Sequence, residues 1–271
     1  MNGASREALA SARENLNALA DSASVDAAKL AGDLASVTAL FDREVSLRRV
    51  LTDPAQPGQA KAELAGRLLG GQIGADCADL VSGMVRSRWS TSRDLVDALE
   101  ELAASADLAA AERAGRLDDV EDELFRFGRI VDSNPGLRAA LTDKVADRSA
   151  KAELLRSLLG GRANPVTERL VVRLVTAPRG RSLEAGLTAL SKLAADRRGR
   201  VVAEVVSAVP LNDRQKRRLG DALARLYGKD VHLNLDVDPE VLGGIQVRIG
   251  DEVISGTIAD RLAEAGRRLA G

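Results

Sequence analysis

The sequence predicts a mainly α-helical protein: two tandem small helical bundles followed by a small α/β domain at the C-terminal end. Three observations carry this. Residues 1–198 show apolar residues at helical spacing almost throughout, with Ala and Leu supplying much of an apolar content of 45% and aromatics only 2%. A 25-residue segment recurs 90 residues downstream. After Ala195 the apolar period changes from helical to alternating, so the last 73 or so residues have a different architecture.

Taken in order, residues 5–20 place Ala8, Leu9, Ala12, Leu16 and Leu19 on one helical face, and a second helix begins near Val25 and carries Leu30, Leu34, Val37 and Phe41. Leu47–Gly71 reads LRRVLTDPAQPGQAKAELAGRLLGG, and Leu137–Gly161 reads LRAALTDKVADRSAKAELLRSLLGG. They share 14 identities in 25 positions without a gap, which marks an internal duplication. The match extends outward: Leu80-Val81 and Met84-Val85 parallel Leu170-Val171 and Leu174-Val175. After a two-residue deletion, Arg93, Leu95, Leu99 and Leu102 parallel Arg181, Leu183, Leu187 and Leu190. Each unit is long enough to close its own bundle core, and in both the Gly-Gly pair ends a helix. The repeat places domain limits at 1–103, 104–198 and 199–271. Residues 103–116 hold no breaker before Gly115, so the last helix of the first unit can run on into the first helix of the second.

The C-terminal part reads as strand, helix, three strands and helix. Residues 200–209 are β-branched and Pro210 ends the strand. Asn212 with Gln215 has capping-box spacing ahead of an apolar stripe, Leu219, Ala222, Leu223 and Leu226, that stops at Gly228. Val231, Leu233, Leu235 and Val237 alternate with polar residues. Gly243-Gly244 opens a second alternating run, Ile245, Val247 and Ile249, and Gly250-Asp251 turns the chain into Val253-Ile254. Thr257 with Asp260 marks the start of a terminal helix.

Composition and motifs narrow the function classes. Net charge is −1 with both signs interspersed, unlike a polyanion binder, and Arg214, Lys216, Arg217 and Arg218 lie on the polar side of an amphipathic helix without interleaved aromatics. No nucleic-acid partner is expected. The lone cysteine, Cys77, reads as a small buried residue. No apolar run approaches a membrane span, and the N-terminal residues lack the apolar core of a signal peptide, so no direct membrane insertion is expected. The single histidine, His232, sits on the polar phase of a strand and reads as an exposed strand residue before it reads as a base. The acidic run Asp118, Asp119, Glu121, Asp122 and Glu123 reads as a solvated helix face before it reads as a metal site. Gly228-Lys229-Asp230 lacks the rest of a phosphate loop, and the remaining glycines make no dinucleotide fingerprint. No catalytic residue, cofactor or metal is expected. What the residues alone leave open is a helical-repeat scaffold for partner proteins, with an enzyme acting through His232 or the acidic run as the outlier.

The run V-x-L-x-x-x-V-D-x-x-V-x-G-G-I-x-V-R-x-G-D, here Val231 to Asp251, with Val253-Ile254, Gly256-Thr257 and Leu262 behind it, resembles the C-terminal signature of the delta subunit of bacterial F-type ATP synthases. The mitochondrial counterpart is the oligomycin sensitivity-conferring protein. The likeness is specific over 199–271 and looser over 105–198, where the family has a six-helix bundle. Two departures stand out: Ser255 replaces the Asp usual before the last helix, and the chain exceeds usual members by about one repeat, as a duplicated N-terminal bundle would make it. The resemblance implies a non-catalytic stator role at the cytoplasmic face of the cell membrane. Its partners would be the alpha subunits of the catalytic head and the b subunits of the peripheral stalk. The stalk-binding residues it implies are Val241, Leu242, Gly243, Gly244, Ile245, Val247, Gly250, Asp251, Thr257 and Leu262.

Overall fold

A computed structural model describes residues 1–199, 201–228, 231–238, 244–249 and 252–255. The chain divides into two compact units, Met1–Arg198 and Gly199–Gly271. The first is helical throughout its regular structure: α1 (Gly3–Asp21), α2 (Ala27–Arg43), α3 (Val45–Thr52), α4 (Gly58–Leu69), α5 (Ala75–Arg86), α6 (Ser92–Arg113), α7 (Leu117–Ser133), α8 (Pro135–Thr142), α9 (Arg148–Leu159), α10 (Pro165–Thr176) and α11 (Leu183–Arg198). The mainly α fold expected from the sequence is the one observed.

The duplication is exact at the level of helices. Each of α2 to α5 begins and ends 90 residues before its counterpart among α7 to α10. The caps explain part of this. Asp26 accepts from the backbone amides of Ala28 and Lys29 and so fixes α2 two residues later than periodicity alone suggests, while Asn164 accepts from the amide of Val166 ahead of Pro165 at the start of α10. The Leu-Leu-Gly-Gly stop works the same way twice. Gly71 and Gly161 adopt φ +74° and +67°, and a Cβ on the preceding glycine would sit 2.8 Å from the Gly66 carbonyl oxygen in the first copy and 2.6 Å from that of Arg156 in the second. Gly161→Ala is therefore expected to cost about 1 kcal/mol through the left-handed backbone alone, read as a lowered urea midpoint at unchanged m-value.

The helix that joins the copies is α6. Its 22 residues, Ser92–Arg113, run through the 103/104 limit expected from the repeat, because nothing breaks the helix before Gly115 (φ +64°). One stretch of it, with Leu95, Leu99, Leu102 and Ala106, completes a core with α1 to α5. The other, with Ala104, Leu108 and Ala111, completes a core with α7 to α11. In chain order α6 is thus the sixth helix of the first bundle and the first of the second. Small side chains let neighbours approach it closely: Ala109 packs against Ala20 and Ala27.

Buried polar ties reinforce the junction. Asp107 on α6 is fully buried and accepts from Arg169 at 2.6 and 2.9 Å and from Arg173, both on α10. Arg197 at the end of α11, 5% exposed, donates to Asp21 of α1 at 2.5 Å and to Glu112 of α6 at 2.6 Å. Charged groups this deep persist only when paired.

The second unit holds β1 (Val201–Ser207), α12 (Asp213–Tyr227), β2 (Val231–Val237), β3 (Ile245–Ile249) and β4 (Glu252–Ser255). The sheet order is β2-β1-β3-β4. β1 runs parallel to β2, as a strand–helix–strand crossover requires, and antiparallel to β3, while β3 and β4 form a hairpin. The expected capping box is present: the Gln215 amide donates to the Asn212 side chain and the Asn212 amide to the Gln215 side chain, each at 2.9 Å. Gly228 at φ +66° ends α12. Leu211, Leu219 and Leu223 pack on Ala203, Val205 and Val247 to make the core.

Candidate partner-binding site

The residues expected to bind a partner are divided by the structure. Val241, Leu242, Gly243, Gly250, Asp251, Thr257 and Leu262 lie outside the described residues, as does the expected terminal helix. Gly244 is exposed at φ +95°, a conformation that favours glycine, just where β3 begins. Ile245 is half-buried against the core, and Val247 is 4% exposed and belongs to it. Any effect of Val247 on binding therefore acts through the shape of the sheet.

The apolar surface of this unit lies elsewhere. β2 and β4 are the two edge strands among those described. Leu235 and Val237 on β2 and Val253 and Ile254 on β4 are between 37% and 51% exposed. The alternation in β2 suggests one continuous inward face, but only Val231 and Leu233 pack against the core. α12 accounts for this: its Gly220 faces Leu233, a Cβ there lying 3.9 Å from Leu233 Cδ1. Periodicity gives the facing of a strand, not the extent of the helix that covers it. Exposed strand edges carrying apolar side chains are ready templates for a partner.

The helical unit presents a second set. Phe125 on α7 is 63% exposed, Ile130 50%, and Val145 in the α8–α9 loop 93%. A lone exposed aliphatic residue means little, but a Phe at this exposure on a rigid helix is a binding candidate. The helical pattern places Phe125 off the apolar stripe, which is the signal that could have singled it out.

The acidic run behaves mainly as a solvated, ion-paired face. Asp119 pairs with Arg116 and Glu121 with Arg198 at 3.1 Å. Glu123 has a structural role that sequence reading missed: it accepts from the Asn164 amide at 2.9 Å and from Thr167 Oγ1 at 2.5 Å, tying α7 to the start of α10. Among the described residues no group of three His, Cys, Asp or Glu side chains stands close enough to hold a metal ion, and no helix is long and apolar enough to cross a membrane. Cys77 is fully buried, and burial pushes its thiol up to about 12. The thiolate is the reactive form, so Cys77 is expected to resist a thiol-reactive probe in the native chain at pH 8 and to react fully in 8 M urea.

The two units, each with apolar side chains exposed on a helix or a strand edge, define a mainly helical protein with a small sheet unit. Comparison with known proteins supplies the family. Residues 104–269 match the family described as "ATP synthase delta (OSCP) subunit". Over its full length the chain is 74% identical to a Streptomyces griseus protein named "ATP synthase subunit delta", covering all of both chains. A Streptomyces avermitilis protein of the same name is 73% identical, covering 99% of this chain and 98% of that one. A further one, from Thermobifida fusca, is 48% identical with both chains fully covered. A chain in the cryo-EM structure of the Toxoplasma gondii mitochondrial ATP synthase hexamer is 19% identical with a TM-score of 0.29, over 62% of this chain and 95% of that one. The chain belongs to the ATP synthase delta (OSCP) subunit family, and the resemblance read from Val231–Asp251 is borne out. The Streptomyces griseus relative spans the doubled part as well, so the extra bundle is shared with it.

Proposed function

We propose that this subunit is a non-catalytic stator element, joining the alpha subunits of the catalytic head to the b subunits of the peripheral stalk at the cytoplasmic face of the membrane. The observation that carries the reading is the family match over 104–269, which takes in α7 to α11, most of the α6 half that packs with them, and the sheet unit. A link between two large bodies needs at least two separate grips, because two attachments on one chain hold far more tightly than either alone. The helical unit and the sheet unit each present apolar surface suited to one.

In this reading the second bundle, within 104–198, grips the alpha subunits, and residues 199–271 grip the stalk. The stalk-binding surface comprises the segment from Val241 to Leu262 together with Leu235, Val237, Val253 and Ile254. The first bundle, within 1–103, is an added spacer that extends along the head or stalk.

The test is binding of the full chain to purified head and to the soluble part of the b subunits. Val253→Asp with Ile254→Asp is expected to weaken b binding at least tenfold and leave head binding unchanged. Undiminished b binding by that variant would remove the sheet edge from the stalk contact, and absence of b binding by the unaltered chain would remove the stator reading.

A further inference from the structure

The two copies differ in length at one turn, between the fifth and sixth helices of each bundle. Between the matched pairs Arg88/Pro178 and Arg93/Arg181 the first copy has four residues, Trp89–Ser92, and the second has two, Arg179 and Gly180. In the first copy Trp89 turns inward. It is 7% exposed, packs with the core of α1 to α6, and its indole N–H donates to the Met84 carbonyl at 2.7 Å. In the second copy Arg179 turns toward the first bundle, at φ +48°, and places its guanidinium 2.7 Å from Glu100 of α6 and 3.4 Å from Asp42 of α2. A positive φ at a long side chain is uncommon and persists where the surroundings fix it.

The second copy therefore brings no aromatic side chain from this turn to its own bundle, and a cavity of about 610 Å³ stands at that end of it. Leu174, the counterpart of Met84, forms part of the wall with Leu141, Val175 and Leu183. Matched residues around the two places differ in burial accordingly. Thr52 is 8% exposed where its counterpart Thr142 is fully exposed, and Lys61 is 4% exposed where Lys151 is half-buried. Lys144, Arg148, Lys151 and Arg181 line the cavity against a single carboxylate, Asp143, which already accepts from the Val145 amide at 2.8 Å. An apolar chamber of this size with a few charged groups has the form of a small-molecule site.

We propose that this cavity binds a small planar aromatic anion, with its ring against Leu141, Leu174 and Leu183 and its carboxylate, sulfonate or phosphate group at Lys144, Arg148 and Lys151. The ring is read from Trp89, the side chain that the first copy folds into its own core from the same turn. The anionic group is read from the four cations that face one carboxylate. An aromatic side chain of a neighbouring protein would answer to the first of these observations and leave the second without a use.

The test is a fluorescence titration of the full chain with anilinonaphthalene sulfonate, an aromatic anion, and with phenylnaphthylamine, its neutral analogue. Thr142→Trp brings an indole to the cavity from an exposed position at the end of α8. It is expected to weaken both probes at least tenfold and to leave the melting temperature unchanged. Lys144→Glu with Lys151→Glu is expected to weaken the sulfonate about tenfold and the neutral probe less than about twofold. Should Thr142→Trp lower the melting temperature, the charge reversal still decides. Val253→Asp with Ile254→Asp, at the sheet edge, is expected to change neither probe. Absence of sulfonate binding, binding that survives Thr142→Trp, or equal loss of both probes on charge reversal overturns the proposal. So does a difference between parent and Thr142→Trp that vanishes once purified head or the soluble part of the b subunits is bound, for then a side chain of another subunit fills the cavity.

Discussion

Removing residues 1–91 is expected to do more than shorten the protein. It uncovers one face of α6, where Leu95, Val96, Leu99 and Leu102 are each 0% exposed against the first bundle. At about 1.5–3 kcal/mol for each large apolar side chain, the loss is on the order of 6–12 kcal/mol, comparable with the whole stability of a domain. The second core of α7 to α11 is not itself cut, so the remaining chain keeps helical content, but the front half of α6 frays and its apolar face drives association. The measurement is light scattering after size-exclusion chromatography, with amide exchange along α6. A monomeric chain with an unchanged melting temperature and a protected α6 would show that the bundles are independent. The complementary expectation is that residues 1–198 of the intact chain melt in one transition, because a single helix serves both cores.

The second large effect is at Arg197. Arg197→Met leaves Asp21, whose side chain is 4% exposed, without its guanidinium and removes the link through Glu112 between α11 and α6. Breaking a buried pair from one side costs about 3–5 kcal/mol. In a unit of this size that lowers the melting temperature by roughly 6–20 °C. Adding Asp21→Leu is expected to recover part of the loss, since the carboxylate that faced the guanidinium is removed with it. A single variant that melts within a degree of the parent would mean that the tie is ornamental.

What could be read from the sequence was what local chemistry decides. The Gly-Gly stops, the Asn212–Gln215 box and the 90-residue spacing lie within a few residues of the structure they specify, and the structure follows them closely. The same is true of the alternation in β3, where Val247 turns inward and Gln246 and Arg248 outward. The ties that hold the bundles together were not legible. Asp107 and Arg169 are 62 residues apart and Arg197 and Asp21 are 176 apart, and no periodicity links residues at such distances. The run of α6 through the 103/104 limit was legible for the opposite reason: a helix ends where a breaker stands, and the first one after Ser92 is Gly115. At the partner-binding surface, the signature around Gly244 identified the family, but the exposure of Leu235 and Val237 depends on how far α12 reaches over the sheet.

The central claim is that this subunit holds the head against rotation without taking part in the chemistry. ATP-driven proton pumping in inverted membrane vesicles tests it most directly. Stripping the subunit should abolish pumping, and adding the full chain back should restore it, while ATP hydrolysis by the isolated head is the same with and without the chain. Pumping that persists in stripped vesicles, or a head whose hydrolysis rate depends on the chain, would contradict the claim.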